Sequence, residues 1–360
     1  MKRCSRIILW LSIILIAIEG TFGLDLKHSL LFVVTGIISV AGLLFGLYKA
    51  IRSHRFRPYA LAHLGLAAII TGGLCGASSF REETIAVSTE GYAGTRLPFS
   101  IRLESFTTEF HKDSDLPRQY TSRIDVDGTI LTTSVNHPCF HKGWMIYQSG
   151  FDGTRPDIPI LKFVRNPWAP AIFAGILLLA LGSALMIPGI RGFRQVTAGV
   201  LALAAIFTVS SIVRINMGAL PPALRSFWFI PHLAFYMIAY SALAIALPLG
   251  IISIRREGRA GELAGRMLDA SSSLLALGMI CGAIWAEAVW GNWWRWDAKE
   301  CWAAVTWLTT LLPRHYSGVH HKEKVFRAIM IALAFLCMQM TWYGVDFLPA
   351  ARGSLHTYLN

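Results

Sequence analysis

Charge is scarce in this chain: Asp, Glu, Lys and Arg make up 15% of its 360 residues, while 54% are hydrophobic. Soluble domains carry about 25% charged residues, so this balance excludes an ordinary soluble enzyme and points to a protein dissolved in lipid. Cysteine pairs are missing as well. The six cysteines, at positions 4, 75, 139, 281, 301 and 337, form no Cys-x-x-Cys, which leaves a thioredoxin-like redox motif and a zinc knuckle without support. No internal repeat and no low-complexity tract occurs, excluding solenoid and propeller architectures. Lys2, Arg3 and Arg6 precede an apolar run, but no convincing small-residue cleavage site follows. That run therefore reads as a retained anchor and not as a secretory signal.

What the chain has is long hydrophobic runs. A bilayer span needs about 20 apolar residues, and that ruler finds nine: 7–23, 29–50, 59–78, 168–188, 195–213, 228–252, 270–289, 298–313 and 328–347, the eighth being short. The expected fold class is a polytopic α-helical membrane protein of about nine spans with a small external β-rich domain. Lys and Arg accumulate in short cytoplasmic loops. With the N-terminus inside, the short inner segments hold 17 basic residues and the short outer ones 6. Residues 79–167 hold the other 10, balanced by 11 acidic ones, so the net charge of +12 comes from inner loops and calls for no nucleic acid. The expected location is the plasma membrane, with the N-terminus cytoplasmic and the C-terminus, residues 79–167 and residues 290–302 extracytoplasmic.

Residues 79–167 read as strands. "SRIDVDGTILTTSV" alternates apolar and polar residues on both sides of Asp127-Gly128, a hairpin turn signal; "FSIRLESFTTEF" and "GWMIYQSGFD" read as further strands. In "NHPCFHKGW", alternation puts His137, Cys139 and His141 on one strand face. A closed zinc site needs four ligands, and no fourth is apparent.

Four histidines stand at the ends of spans: His232 and His356 on the outer side, His63 and His315 on the inner side. Singly, such residues are interfacial; as two pairs, they suit the two axial positions of a haem iron. "WGNWWRWDAKECW", residues 290–302, puts five tryptophans in thirteen positions. Interfacial anchoring accounts for one or two of these. Five suit a flat, apolar macrocycle, whose propionates could be met by Arg295, Lys299 or Arg225.

At these residues a resemblance emerges. Trp290, Gly291, Trp294, Trp296 and Asp297 resemble the WWD signature of the cytochrome c assembly family. His232 in "FWFIPHLAFYMIAY" and His356 in "TWYGVDFLPAARGSLHTYL" match that family's flanking histidines, and His315, eight residues after Trp307, its inner one. Ala298, Cys301 and Asp346 replace the family's frequent Pro, Thr and Asn. Residues 1–167 resemble the ResB type: His63 sits at that family's transmembrane histidine, and "VNHPCFHKGWMIYQSGFD" is similar to its Asn-x-Pro and Gly-x-x-x-Tyr-Gln strand pair, a better account of that stretch than zinc. The chain thus resembles a fused ResB/CcsA, system II cytochrome c synthase.

The resemblance implies ResB-like helices over 1–78, an extracytoplasmic β-rich domain over 79–167 and a CcsA-like assembly domain over 168–360. It implies an enzyme of the holocytochrome c synthase (haem-lyase) type. Haem b would enter at His63 and His315, reach His232 and His356 beside the platform of Trp290, Gly291, Trp294, Trp296 and Asp297, and be attached to an apocytochrome c CxxCH motif. A thiol-reducing partner is implied. Asp297 has three open readings: orienting haem, organising the loop, or assisting protonation. Two other functions stay open, a haem exporter without synthase activity and a bis-histidine b-type cytochrome exchanging electrons with quinone. The charge asymmetry predicts that a topology reporter fused after residue 150 reads as external and one after residue 260 as cytoplasmic; the reverse at either point would invert all four histidine placements.

Overall fold

The computed structural model describes residues 2–53, 57–92, 96–112, 114–187, 220–256, 258–316 and 320–351. Eight α-helices occur among them: α1 (Lys2–Phe22), α2 (Leu30–Arg52), α3 (Pro58–Gly76), α4 (Ala169–Leu185), α5 (Phe229–Arg255), α6 (Arg259–Trp290), α7 (Ala298–Leu311) and α8 (His320–Trp342). Six of these, α1, α2, α3, α5, α6 and α8, are long and apolar enough to cross a membrane, and α4 is a shorter apolar helix of 17 residues. The protein is a multi-pass membrane protein. The expected span at 195–213 lies outside the described residues. The short eighth run forms α7, only 14 residues long.

Two helices exceed their expected spans because a hydropathy ruler stops at charge while a helix does not. α6 begins at Arg259, eleven residues before the apolar run, and carries a Glu262–Arg266 ion pair at 2.6 Å with the favourable i,i+4 spacing. α8 begins at His320 and ends at Trp342, where the chain passes into a 3-10 turn at Gly344–Phe347. Local signals start the others. Ser29 caps α2 by accepting the Phe32 N–H at 3.2 Å, and Pro58 opens α3, where a missing N–H costs nothing.

Glycines set how the helices cross. A Cβ at Gly65 would fall 2.5 Å from the Gly175 carbonyl oxygen, one at Gly72 2.6 Å from Ile172, and one at Gly182 2.6 Å from the Ala62 nitrogen. Backbone meets backbone along this seam, the small-residue mode of helix packing in lipid. The register runs in opposite senses on α3 and α4, so the pair is antiparallel and both connections to the strands leave from one end. α5 and α6 are antiparallel too: Gly282 faces His232, Gly278 faces Tyr236 and Gly261 faces Ser253. Buried side chains of α4 to α8, among them Tyr240, Leu243, Met267, Trp307 and Ile331, form the main helical core. α1 packs separately on α7 and α8 around Ile13, Val305 and Leu312.

Between α3 and α4 the described residues form seven strands in two sheets, ordered β1 (Arg81–Ala86), β7 (Arg155–Arg165), β6 (Trp144–Asp152), β5 (Cys139–His141), and β2 (Ile101–Phe110), β3 (Pro117–Val126), β4 (Thr129–Ser134). They enclose one core of Val87, Phe99, Ile101, Ile124, Ile146, Leu161 and Phe163. Ser122 donates to the Gln148 amide oxygen at 2.6 Å, and Thr133 to the Ile146 carbonyl at 2.9 Å, tying sheet to sheet. The expected hairpin joins β3 to β4. Asp127 and Gly128 both take positive φ, 50° and 82°, as a type I′ turn requires. Lys142 at 2.7 Å and the Ser100 N–H at 2.9 Å hold the Asp127 carboxyl down at about 2.

Because Gly65 meets backbone on α4, Gly65→Val should lower stability by about 1–3 kcal/mol, read as the midpoint of thermal unfolding in detergent. An unchanged midpoint would mean that α3 and α4 are not held by this contact.

Candidate functional site at the tryptophan segment

The segment joining α6 to α7 is built by helix-terminal chemistry. Gly291 adopts φ 68°, ends α6 and donates its N–H to the Glu287 carbonyl at 2.8 Å, the left-handed cap that favours glycine. At the other side, Asp297 is the N-cap of α7: its Oδ1 accepts the Glu300 N–H at 2.9 Å. Glu300 reaches back to the Arg295 N–H at 2.7 Å, giving a variant of the capping box. Between the caps Trp296 sits at φ 64°. That region is unfavourable for a bulky residue by about 1–2 kcal/mol, and the two caps together with a Cys301 Sγ contact to its carbonyl at 3.4 Å hold it there.

The five indoles do not form one stack. Trp290 packs on Trp285 (centroids 5.3 Å), Trp293 on Phe173 of α4 (6.1 Å), and Trp302 joins the cluster around α1. Trp294 and Trp296 meet edge to face at 6.0 Å, and Trp296 continues edge to face onto Phe32 of α2 at 4.9 Å. The Trp294 indole N–H is buried without a hydrogen-bond partner. A buried donor left unmade is costly; the Trp144 and Trp302 indole nitrogens are in the same state.

His232 lies one turn into α5 against a notch in α6. Its Nδ1 is 2.8 Å from the Gly278 carbonyl. A carbonyl only accepts, so Nδ1 carries the hydrogen and Nε2 the lone pair. Gly282 makes room for the ring: a Cβ there would fall 2.7 Å from Nδ1. Tyr236 and Trp285 wall the ring at centroid distances of 5.0 and 5.9 Å, and Trp285 is itself fixed by donating to the Ala223 carbonyl at 2.9 Å.

His63 on α3 also bonds a backbone carbonyl through Nδ1, but within its own helix. Its Nδ1 is 2.7 Å from the Tyr59 carbonyl, and Gly46 of α2 leaves space beside Nε2, a Cβ there falling 3.3 Å away. The antiparallel packing assigns the ends. His232, Gly291, the start of α7 and the strands occupy one end of the bundle; His63, near the start of α3, and His315, in the 3-10 turn Leu312–His315 after α7, occupy the other. There Arg6 lies over Tyr316 at 5.0 Å. His63 and His315 belong to elements with different main packing partners, α2 and α4 for the first, α1, α7 and α8 for the second. His356 lies outside the described residues. Of the cations expected near carboxylates, Arg295 and Lys299 are in the segment itself, while Arg225 lies in a cleft beside the β2–β3 connection.

Sequence reasoning missed how the strands reach this segment. Tyr147 of β6 donates to Glu287 of α6 at 2.7 Å; burial and the adjacent carboxylate push the phenol above its usual range, so it stays a donor. Tyr147 and Val164 lie where a Cβ at Gly291 would be, at 2.7 and 2.8 Å. Asn136 donates to the Pro222 carbonyl at 2.8 Å just before α5. Lys162, paired with Glu82 at 2.8 Å, is lowered by burial, with Arg295 adding like charge. A paired tyrosine and glutamate 140 residues apart leave no signal in spacing. The Gly278-x-x-x-Gly282 step was visible, though nothing in the sequence tied it to His232. Cys139 is pushed up to about 11 by burial, and among the described residues no group of three His, Cys, Asp or Glu is placed to hold a metal.

Residues 169–351, just over half the chain, match the family model described as cytochrome C assembly protein. The chain belongs to the cytochrome c assembly protein family. Residues 54–167 match the ResB-like family, so the ResB-like match starts after α2 and the boundary falls between β7 and α4. ResB-like and CcsA-like parts share one chain, and the contacts at Tyr147, Asn136 and Gly65 join them. The chain is similar to the cytochrome c biogenesis protein CcsA of Nymphaea alba, 26% identical over 208 residues, 46% of this chain and 67% of that protein. It is similar to CcsA of Chlamydomonas reinhardtii, 30% over 153 residues (39% and 42%), and of Amborella trichopoda, 25% over 241 residues (52% and 76%). Its role is in cytochrome c biogenesis.

Tyr147→Phe leaves the Glu287 carboxyl without its donor and should cost about 1–3 kcal/mol, seen in thermal unfolding. Tyr147→Phe with Glu287→Met removes both partners and should recover part of that loss; a double variant as unstable as the sum of the single ones would deny the coupling.

Proposed function

We propose that this chain carries haem b across the plasma membrane and attaches it to the CxxCH motif of an apocytochrome c on the external side, acting as a holocytochrome c synthase. The N-terminus is cytoplasmic, and the end bearing the strands and the tryptophan segment is extracytoplasmic. Haem is received at the cytoplasmic end by His63 and His315, then held at the outer end by His232 and His356.

The observation that carries this reading is the state of His232: Nδ1 bonded to the Gly278 carbonyl at 2.8 Å, ring seated in a glycine notch, Nε2 left with the lone pair. A backbone acceptor on one ring nitrogen is how a metal-binding imidazole is oriented and its tautomer chosen, and His63 has the same device. The Trp294–Trp296 pair offers an aromatic edge, and the unpartnered Trp294 N–H offers a donor for a haem carboxylate. Trp290 and Gly291 hold the segment's end against α6 and the strands. Asp297 organises the loop through its cap on α7, which favours the second of its three readings.

In the attachment step each cysteine S–H adds across a vinyl group: sulfur bonds the inner carbon, hydrogen goes to the outer one, and no net oxidation occurs. The thiols must therefore arrive reduced, which calls for a thiol-reducing partner protein.

The test is co-expression with an apocytochrome c reporter in a host stripped of its own assembly pathway. Covalent haem on the reporter is expected. Bound haem without product would instead select an exporter or a b-type redox protein. His63→Ala and His315→Ala should yield protein poor in haem; His232→Ala and His356→Ala should keep haem yet mature almost no reporter. Gly282→Ala, which removes no ligand, should also lower maturation by displacing His232. Full haem and full product in both histidine classes would end the proposal.

A further inference from the structure

At the tip between β2 and β3, His111 reaches the chain that leads into α5. The His111 Nε2 lies 3.1 Å from the Leu220 carbonyl. Between tip and loop is a cavity of about 420 Å³ lined by His111, Lys112, Arg118, Leu220 and Arg225. Three of these five carry fixed positive charge, and among the described residues no carboxylate is in the lining. Neither Lys112, Arg118 nor Arg225 forms an ion pair with a described residue.

Position decides what this charge meets. α5, long and apolar enough to cross a membrane, begins at Phe229, which sets the 3-10 turn Pro222–Arg225 just before it at the boundary between hydrocarbon and water. The His111 contact holds the tip at that same level. Residues close in sequence to the lining fit such a place: Phe227, two after Arg225, and Ile230 in the first turn of α5 are 79% and 69% exposed, and Phe110 and Leu116, on either side of Lys112, are 55% and 52% exposed. Exposed apolar groups beside clustered cations are the signature of an interfacial contact with anionic lipid.

We propose that this cleft binds the phosphate headgroup of an anionic phospholipid, with Lys112, Arg118 and Arg225 meeting the phosphate and Phe110, Leu116, Phe227 and Ile230 the acyl chains. The lipid bridges the tip of the strands to the entrance of α5 and steadies the ResB-like part on the CcsA-like helices. Nothing in this depends on haem.

The test uses the purified full chain in a neutral detergent, with dioctanoyl phosphatidylglycerol or dioctanoyl phosphatidylcholine added and retained lipid counted by native mass spectrometry. Three cations at the surface should favour the anionic lipid on the order of a hundredfold. Lys112→Ala/Arg118→Ala/Arg225→Ala should erase that preference, whereas Arg123→Ala, an exposed cation elsewhere on β3, should keep it. Equal retention of the two lipids by the wild type, or an unaltered preference in the triple variant, would overturn the proposal. Displacement of phosphatidylglycerol by inorganic phosphate at equal concentration would overturn it in favour of a free-anion site. Loss of co-purified haem from the triple variant with lipid binding intact would overturn it in favour of a haem carboxylate.

Discussion

The contact on which the site depends is a histidine ring lying on helix backbone. His232 can approach α6 closely enough to reach the Gly278 carbonyl because position 282 carries no side chain, while Gly278 makes the same room for Tyr236. That bond orients the ring and sets its tautomer through a neutral backbone carbonyl, inside lipid, where a charge is expensive. Trp285 and Tyr236 close the ring's surroundings. The α5–α6 pair is thus at once the centre of the helical core and the mount for the imidazole.

The tryptophan segment inherits its place from that pair. α6 ends at Gly291, whose left-handed turn is pressed by Tyr147 and Val164 of the strands, and α7 begins at the Asp297 cap. Trp296 is held in an unfavourable backbone region between them, a kind of strain that persists where the surroundings over-determine it. The ResB-like strands therefore brace one end of the CcsA-like segment, and α3 grips α4 through glycine backbone on the other side of the family boundary.

Much of the fold could be read from residues. The long apolar runs match α1, α2, α3, α4 and α5 within a few positions, and Asp127-Gly128 forms the turn that its chemistry demands. The starts of α6 and α8 escaped, because Glu262, Arg266, Glu323 and their neighbours continue a helix beyond the hydrophobic zone that the ruler measures. At the site, the caps at Gly291 and Asp297 were written in the motif, yet the arrangement of the indoles was not. Trp290, Trp293 and Trp302 turn toward three different neighbours, which only the packing of α6, α4 and α1 decides. The Tyr147–Glu287 pair spans the two halves of the chain, and local pattern carries no information about such a contact.

The central claim is that His232 presents Nε2 to a haem iron. The most direct measurement is the electron paramagnetic resonance and visible spectrum of haem co-purified with the wild type and with His232→Ala, each before and after adding imidazole. The account predicts a low-spin, bis-imidazole iron in the wild type, its loss at the outer site in the variant, and recovery of both spectrum and reporter maturation on adding imidazole. A wild-type spectrum identical to that of the variant would contradict it.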